Sequence, residues 1–431
     1  MKRNSINIIS LGCSKNLVDS EHLIRQLQAN GFTVTHNPDV VDADIAVVNT
    51  CGFIRDAQEE SINTILQLAQ AKQQGRLKRL YVMGCLAERF MAQLIDELPE
   101  VDKFYGKFNW NQLLTDLGKI YRTEFEHERF LTTPPHYTYL KISEGCNRFC
   151  AFCAIPLITG SHKSVPMPQL LKEVEHLAST GVKEFNVIAQ DLSSYGKDLY
   201  GHLALPELIE QMAAIPGVEW IRLHYAYPTE FPYDILPVMA QHPNVCSYLD
   251  IALQHISDKV LTNMRRHIGK AETLTLIDRL RREVPGLHLR TTLMVGFPGE
   301  GDKEFQELMD FVRQARFERM GAFAYSEEEG TYAAQHLTDD TPDAVKQQRL
   351  QQLMELQEEI SMDIQQEKVG KTLRVIIDRE EDDYFVGRTE WDSPEVDPEV
   401  LISKEKSLKM GEFYNVRITE AMPFELYGSV E

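Results

Sequence analysis

Tyr137-Thr-Tyr-Leu-Lys-Ile-Ser-Glu-Gly-Cys-Asn-Arg-Phe-Cys-Ala-Phe-Cys153 is the stretch that decides how this chain is read. Tyr137–Ile142 has the short apolar and aromatic run of a strand, and a glycine and three cysteines follow at once. Spacings of three and then two residues put three thiolates on one loop. There they can hold three irons of a cubane cluster and leave the fourth without a protein ligand. An open metal position is what catalytic sites keep for a substrate. Structural zinc is the competing reading, but such sites close with a fourth ligand and usually pair one C-x-x-C with another.

Outward from that loop, strand and helix patterns alternate. Five more apolar runs follow: Glu184–Ala189, Trp220–Tyr227, Tyr248–Leu253, Leu289–Val295 and Met320–Tyr325. Helical periodicity separates them in Gln169–Ser179, Leu205–Ala214, Asp258–Arg266, Glu272–Glu283 and Lys303–Gln314. Six β/α units predict a partial (β/α)6 barrel rather than a closed eightfold one, with the cysteine loop at the C-terminal mouth where barrel chemistry collects. A long amphipathic segment from Asp343 to about Lys368 closes the series.

Upstream, Thr132-Thr-Pro-Pro-His136 reads as a linker. Before it, Ile6–Leu11, Ile45–Val48 and Leu80–Met83 lack polar alternation, as strands buried on both faces do. With helical spacing in Leu17–Ala29 and Ile62–Ala71, they predict an open parallel α/β sheet covered on both faces. From Lys371 the helices stop. Leu373–Ile377, Tyr384–Arg388, Val400–Ile402, Tyr414–Ile418 and Leu426–Val430 predict a small antiparallel β-barrel. The expected organisation is α/β in three domains, residues 1–125, 132–368 and 369–431.

Each N-terminal strand is followed by a cysteine: Cys13 after Ser10-Leu-Gly12, Cys51 after Val48-Asn-Thr50 and Cys85 after Val82-Met-Gly84. The C-terminal ends of strands in an open parallel sheet line one crevice, so the three are expected to meet and to hold a second cluster, again with one iron open. Three unrelated core thiols are the plain alternative. Recurrence at the same sheet edge argues against it. Cys246 has no such neighbour and reads as a core thiol.

Composition narrows the classes further. A chain of 431 residues is too long for a single core. Seven cysteines, an odd number, suit metal or catalytic work in a reducing compartment better than a disulfide scaffold. Residues 1–13 do not read as a signal peptide, and no apolar run is long enough to span a membrane, so a cytoplasmic location is expected. The net charge of −20 argues against a surface that grips nucleic-acid phosphates broadly, and it suits a basic protein partner.

The C-x-x-x-C-x-x-C loop, with aromatic Phe152 before its last cysteine, resembles the radical S-adenosylmethionine superfamily. The whole arrangement resembles its methylthiotransferases: a cysteine-bearing N-terminal domain, a radical barrel and a small TRAM barrel. That resemblance implies two 4Fe-4S clusters, one on Cys146, Cys150 and Cys153 and one on Cys13, Cys51 and Cys85, together with S-adenosylmethionine. It also implies a 5′-deoxyadenosyl radical, a methylated sulfur presented by the second cluster, and an electron donor such as flavodoxin or ferredoxin. Besides Phe152, the matching segments assign cofactor contacts to Gln190, Gln254, Arg266 and Gly296. No side chain is assigned as a catalytic acid, base or nucleophile. Where the family usually has arginines after the cluster loop, this chain has Thr159 and Val165.

Three segments resemble the RimO-type branch, which acts on an aspartate of small-subunit ribosomal protein S-twelve. They are Ser10–Glu21, Asn49-Thr-Cys-Gly-Phe-Ile54 and Gln190-Asp-Leu-Ser-Ser-Tyr-Gly196. Charge points the same way. Residues 371–431 carry eight Lys or Arg against fifteen Asp or Glu, whereas an RNA-binding barrel is expected to be basic. The alternatives are a tRNA adenosine methylthiotransferase, which shares all six cluster cysteines, and an iron–sulfur electron carrier.

Overall fold

Alternate side chains of a strand point to opposite faces, and in the N-terminal sheet both faces are buried. The computed structural model, which describes residues 2–107 and 109–431, shows this directly. Val47, Tyr81 and Met83 join one core with Ile6 and Ile8, while Ala46, Val48, Leu80 and Val82 join another on the opposite side. The strands are β1 (Lys2–Ser10), β2 (Thr33–His36), β3 (Ala43–Thr50), β4 (Arg79–Gly84) and β5 (Lys103–Phe104). They pair in parallel in the order β2-β1-β3-β4-β5. Helices Ser14–Ala29, Arg55–Gln73 and Cys85–Glu97 connect them, the last beginning on Cys85 itself.

The second sheet contains β6 (Tyr137–Lys141), then β9 (Glu184–Ile188), β10 (Trp220–Ala226), β11 (Val245–Ile251), β12 (His288–Val295) and β13 (Arg319–Ala324). A short hairpin of β7 (Ser143–Glu144) and β8 (Lys163–Ser164) brackets the cysteine loop. The six long strands are parallel in the order β13-β12-β11-β10-β9-β6 and do not close on themselves, which is the partial barrel expected. Helix Asp258–Asn263 stops short of Arg266, because Arg265 turns left-handed at φ 56°. Helix Asp343–Gln366 returns across β13.

The last five strands are β14 (Thr372–Glu380), β15 (Tyr384–Thr389), β16 (Glu399–Ser403), β17 (Phe413–Ala421) and β18 (Glu425–Val430). They close a barrel in the order β14-β15-β16-β18-β17. Four pairings are antiparallel; β16 and β18 are parallel, a departure from the all-antiparallel expectation. This barrel docks on the N-terminal ends of the central strands. Phe413 packs edge-on to Trp220 at 4.8 Å, Trp391 stacks on His288 at 4.4 Å, and Arg388 pairs with buried Glu184 at 2.7 Å. The β15–β16 loop reaches into the partial barrel, where Glu395 accepts from Tyr137 at 3.3 Å and Asp397 from Tyr248 at 2.8 Å. Cys246 is buried with Trp220, Tyr248 and Ile376 at this junction, a core position as expected. Among the described residues, no helix is long and apolar enough to cross a membrane.

Candidate active site

Glycines let the N-terminal cysteine loops approach one another. A Cβ on Gly12 would lie 2.6 Å from Cys51 Cβ and 2.8 Å from its Sγ, and one on Gly52 would lie 2.7 Å from the Leu86 backbone. Asn16, which the sequence reading did not single out, ties the loops together. Its side-chain amide donates to Leu11 O at 3.2 Å and to Thr50 O at 2.9 Å, and its Oδ1 accepts from Cys85 Sγ at 3.5 Å. Cys51 and Cys85 are buried. Burial pushes the Cys51 thiol up and the Cys85 thiol up to about 12, with the Lys107 ammonium acting the other way. Thiols held protonated in this way surrender their protons when a metal binds.

The second trio follows β6. The backbone N–H of Arg148 donates to Cys146 Sγ at 3.5 Å, and Arg266 Nη1 donates to Cys150 Sγ at 3.2 Å. The hydroxyl of Tyr227 lies 3.4 Å from the same sulfur. Burial pushes Cys146 up to about 12 and raises Cys153 as well. Hydrogen bonds to sulfur are among the means by which a protein tunes an iron–sulfur cluster. Among the described residues, no three His, Cys, Asp or Glu side chains converge on one point, as a single ion would require. A cubane instead spreads its thiolates over separate irons, so two all-thiol trios fit that cofactor better than a zinc ion.

The residues assigned to S-adenosylmethionine gather around this loop. Gln190 ends its strand segment beside Glu144, to whose carboxylate its amide donates. Gln254 holds φ 71°, with its backbone N–H donating to Thr292 O at 2.9 Å. Gln190 Oε1, Gln254 Oε1 and Arg266 Nε are all buried without a hydrogen-bond partner. An orphaned buried polar atom costs about 1–3 kcal/mol, so three in one region fit a polar ligand. Phe152 lies edge-on to Phe297 at 6.1 Å, in an apolar cluster with Met264, Met294 and Tyr325. The space beside Gly296 is taken by the protein itself, since a Cβ there would lie 2.3 Å from Lys346 Cγ. Thr159 Oγ1 bonds Ile155 O at 3.0 Å within its own helix, whereas Val165 bonds Ile142 O through its N–H at 2.9 Å, accepts from the Tyr195 hydroxyl at 2.9 Å and packs on the central core.

The two trios face each other across the domain junction. Cys85 packs with Ala154 and Ile158, immediately after Cys153, and helix Cys85–Glu97 lies on helix Ile155–Thr159. Buried Arg89 fixes this seam, bonding Gly52 O at 2.9 Å, Glu328 at 3.1 Å and Glu329 O at 2.6 Å. A second polar seam joins Asp19, Lys107, Lys141 and Glu144, with Lys107 3.2 Å from Glu144 and 3.5 Å from Asp19. Burial opposes ionisation of Glu144, but the Lys141 and Lys107 ammonium groups outweigh it and hold the carboxyl well below its usual range. Tyr227 and Asn16 escaped sequence reading because their partners lie on other loops; their positions beside strand ends and cysteines were the available signal.

Three family models match in succession. Uncharacterized protein family UPF0004 covers residues 5–106, the Radical SAM superfamily residues 140–312 and the TRAM domain residues 369–430. Among curated relatives, the ribosomal protein uS12 methylthiotransferase RimO of Phocaeicola vulgatus is 64% identical over 431 residues, covering 100% of both chains. RimO of Flavobacterium johnsoniae is 54% identical, covering 99% of this chain and 98% of its own. Among solved structures, the radical S-adenosylmethionine methyltransferase TsrM of Kitasatospora setae is similar with a TM-score of 0.54 at 13% identity. The match covers 74% of this chain and 75% of that one, and it speaks for the fold alone. Full-length identity at this level, on a chain that carries both cysteine trios in place, settles membership: the chain belongs to the RimO family of ribosomal protein uS12 methylthiotransferases.

Proposed function

We propose that this protein inserts a methylthio group at the β-carbon of an aspartate of ribosomal protein uS12. The observation that carries the reading is the meeting of two all-cysteine trios across one seam, with Cys85 against the helix that follows Cys153. Cys146, Cys150 and Cys153 would hold one 4Fe-4S cluster, and Cys13, Cys51 and Cys85 the other. Phe152, Gln190, Gln254 and Arg266 would form the S-adenosylmethionine site, and Gly296, whose side-chain space Lys346 fills, would offer only its backbone there. When bound, these groups supply a 5′-deoxyadenosyl radical at one side of the seam and a methylated sulfur at the other.

The chain's own residues do the rest. Arg266 donates toward Cys150 and stabilises negative charge on sulfur, while the Tyr227 hydroxyl beside the same sulfur donates to Arg266 O at 3.2 Å. Arg89 with Glu328 holds the two trios at a fixed separation. The apolar packing of Cys85, Ala154 and Ile158 keeps water from the seam. A low-potential donor such as flavodoxin or ferredoxin would supply electrons, and a ribosomal substrate would put the enzyme in the cytoplasm. Mass spectrometry of ribosomal proteins and tRNA from cells lacking this chain tests the reading. Loss of methylthio-aspartate from uS12 with tRNA unaltered is expected. Loss from a tRNA adenosine instead would overturn it.

A further inference from the structure

We infer that Lys15 is a substrate-binding residue that grips the carboxylate of the aspartate to be modified, an inference that rests on the substrate reading above. Lys15 is the second residue of helix Ser14–Ala29 and lies two residues past Cys13. It is only 8% exposed, yet its ammonium does not point into the N-terminal core. Its Nζ lies 3.4 Å from the centre of the Tyr225 ring, across the seam on the central barrel. Tyr225 is the penultimate residue of β10, at the same mouth as Tyr227, whose hydroxyl meets Cys150. Tyr225 holds φ 63°, a conformation bulky residues rarely adopt, and it keeps 36% of its surface open. The ammonium therefore stands where the N-terminal and central domains meet, against a ring that is itself partly exposed.

A buried charge is costly unless paired. Most other cations of this region are paired with carboxylates, while buried Arg266 donates to Cys150 Sγ and to Ala252 O. Lys107 and Lys141 meet Asp19 and Glu144, Arg148 meets Asp191 at 2.7 Å, and Arg290 meets Asp250 and Asp397 at 3.4 Å. Among the described residues, no carboxylate pairs with Lys15, and a tyrosine π face is what its ammonium rests on. An entering aspartate supplies the missing anion. In aspartate the β-carbon bears the carboxylate directly, so holding that group fixes the reacting carbon one bond away. An asparagine at the same place leaves the ammonium without its counter-charge.

The test uses the full chain, reconstituted with iron and sulfide, and measures its affinity for purified uS12 and for uS12 with Asn at the target aspartate. Wild-type protein should bind the aspartate form about 30-fold more tightly, the effect expected of one buried charge pair. Lys15→Met, which keeps the stem and removes the charge, should lose that discrimination, and Lys15→Arg should retain most of it. Iron content and the electron paramagnetic resonance spectrum should match in all three proteins. Undiminished discrimination by Lys15→Met overturns the inference. So does a changed spectrum or lost iron in that variant, which would assign Lys15 to holding the neighbouring cluster. Wild-type protein that ignores uS12 and methylthiolates tRNA overturns the substrate reading, and this inference with it, before any variant is compared.

Discussion

Lys368 sits where the long helix meets the C-terminal barrel, and burial there, aided by the nearby Arg319 guanidinium, pulls its pKa down to about 7 against the opposing pull of Asp392. An unfolded lysine titrates near 10.4, so between about pH 7 and 10.4 the unfolded chain binds a proton that the folded one lacks. Stability contributed at this site therefore rises with pH across that window and is lowest below it. The melting temperature of wild-type protein relative to Lys368→Met should climb between about pH 7 and 9, by a few degrees at most in a chain this long. A flat difference would contradict the assignment. The same scale shows what a sequence can carry. The six cysteines proposed as cluster ligands are legible because spacing and strand-end position alone bring thiols together. Asn16 is not, since its role lies in partners 5, 34 and 69 residues away. Lys15 is equally silent in sequence, because its partner Tyr225 belongs to another domain.

Among the elements, strands buried on both faces were legible and marginal ones were not. β3 and β4 contain the apolar runs Ile45–Val48 and Leu80–Met83, whereas β2 is an edge strand that alternates exposed and half-buried residues, and β5 has two residues. Helix Cys85–Glu97 escaped sequence reading although Leu86, Phe90 and Leu94 recur at helical spacing; its backbone is kinked at Phe90. The β14–β15 turn carries the acidic run Glu380–Asp383, whose charge suits a basic ribosomal protein. Its charge is partly spent locally, since Glu380 pairs with Lys404 at 2.8 Å and Glu381 with Arg379 at 2.7 Å. Asp382 and Asp383 are exposed. Reversing all four to Lys should lower kcat/KM for uS12 roughly 3- to 10-fold at low salt, with the difference shrinking as salt screens it. Uncoupled cleavage of S-adenosylmethionine should be unaffected. Unchanged turnover at low salt would rule out electrostatic docking by this turn.

At the scale of the whole molecule, the C-terminal barrel and the cysteines occupy opposite ends of the central strands. Those strands have five to eight residues, which corresponds to a separation of about 17–26 Å. On the proposed reading, a partner docked on the barrel would still have to deliver its aspartate at the other end, beside Lys15 and the two trios. Division into two sites has a direct chemical consequence. Replacing Cys146, Cys150 and Cys153 with Ala should leave about four irons per chain, held by the N-terminal trio. Loss of all iron with the fold intact would mean that the sites are not independent. The central claim is that radical generation and sulfur donation belong to different trios. Its most direct test counts 5′-deoxyadenosine and methylthiolated uS12 in one reaction of the Cys13→Ala, Cys51→Ala, Cys85→Ala protein. 5′-Deoxyadenosine without methylthiolated uS12 is the predicted result; methylthiolated uS12 at the wild-type level would contradict it.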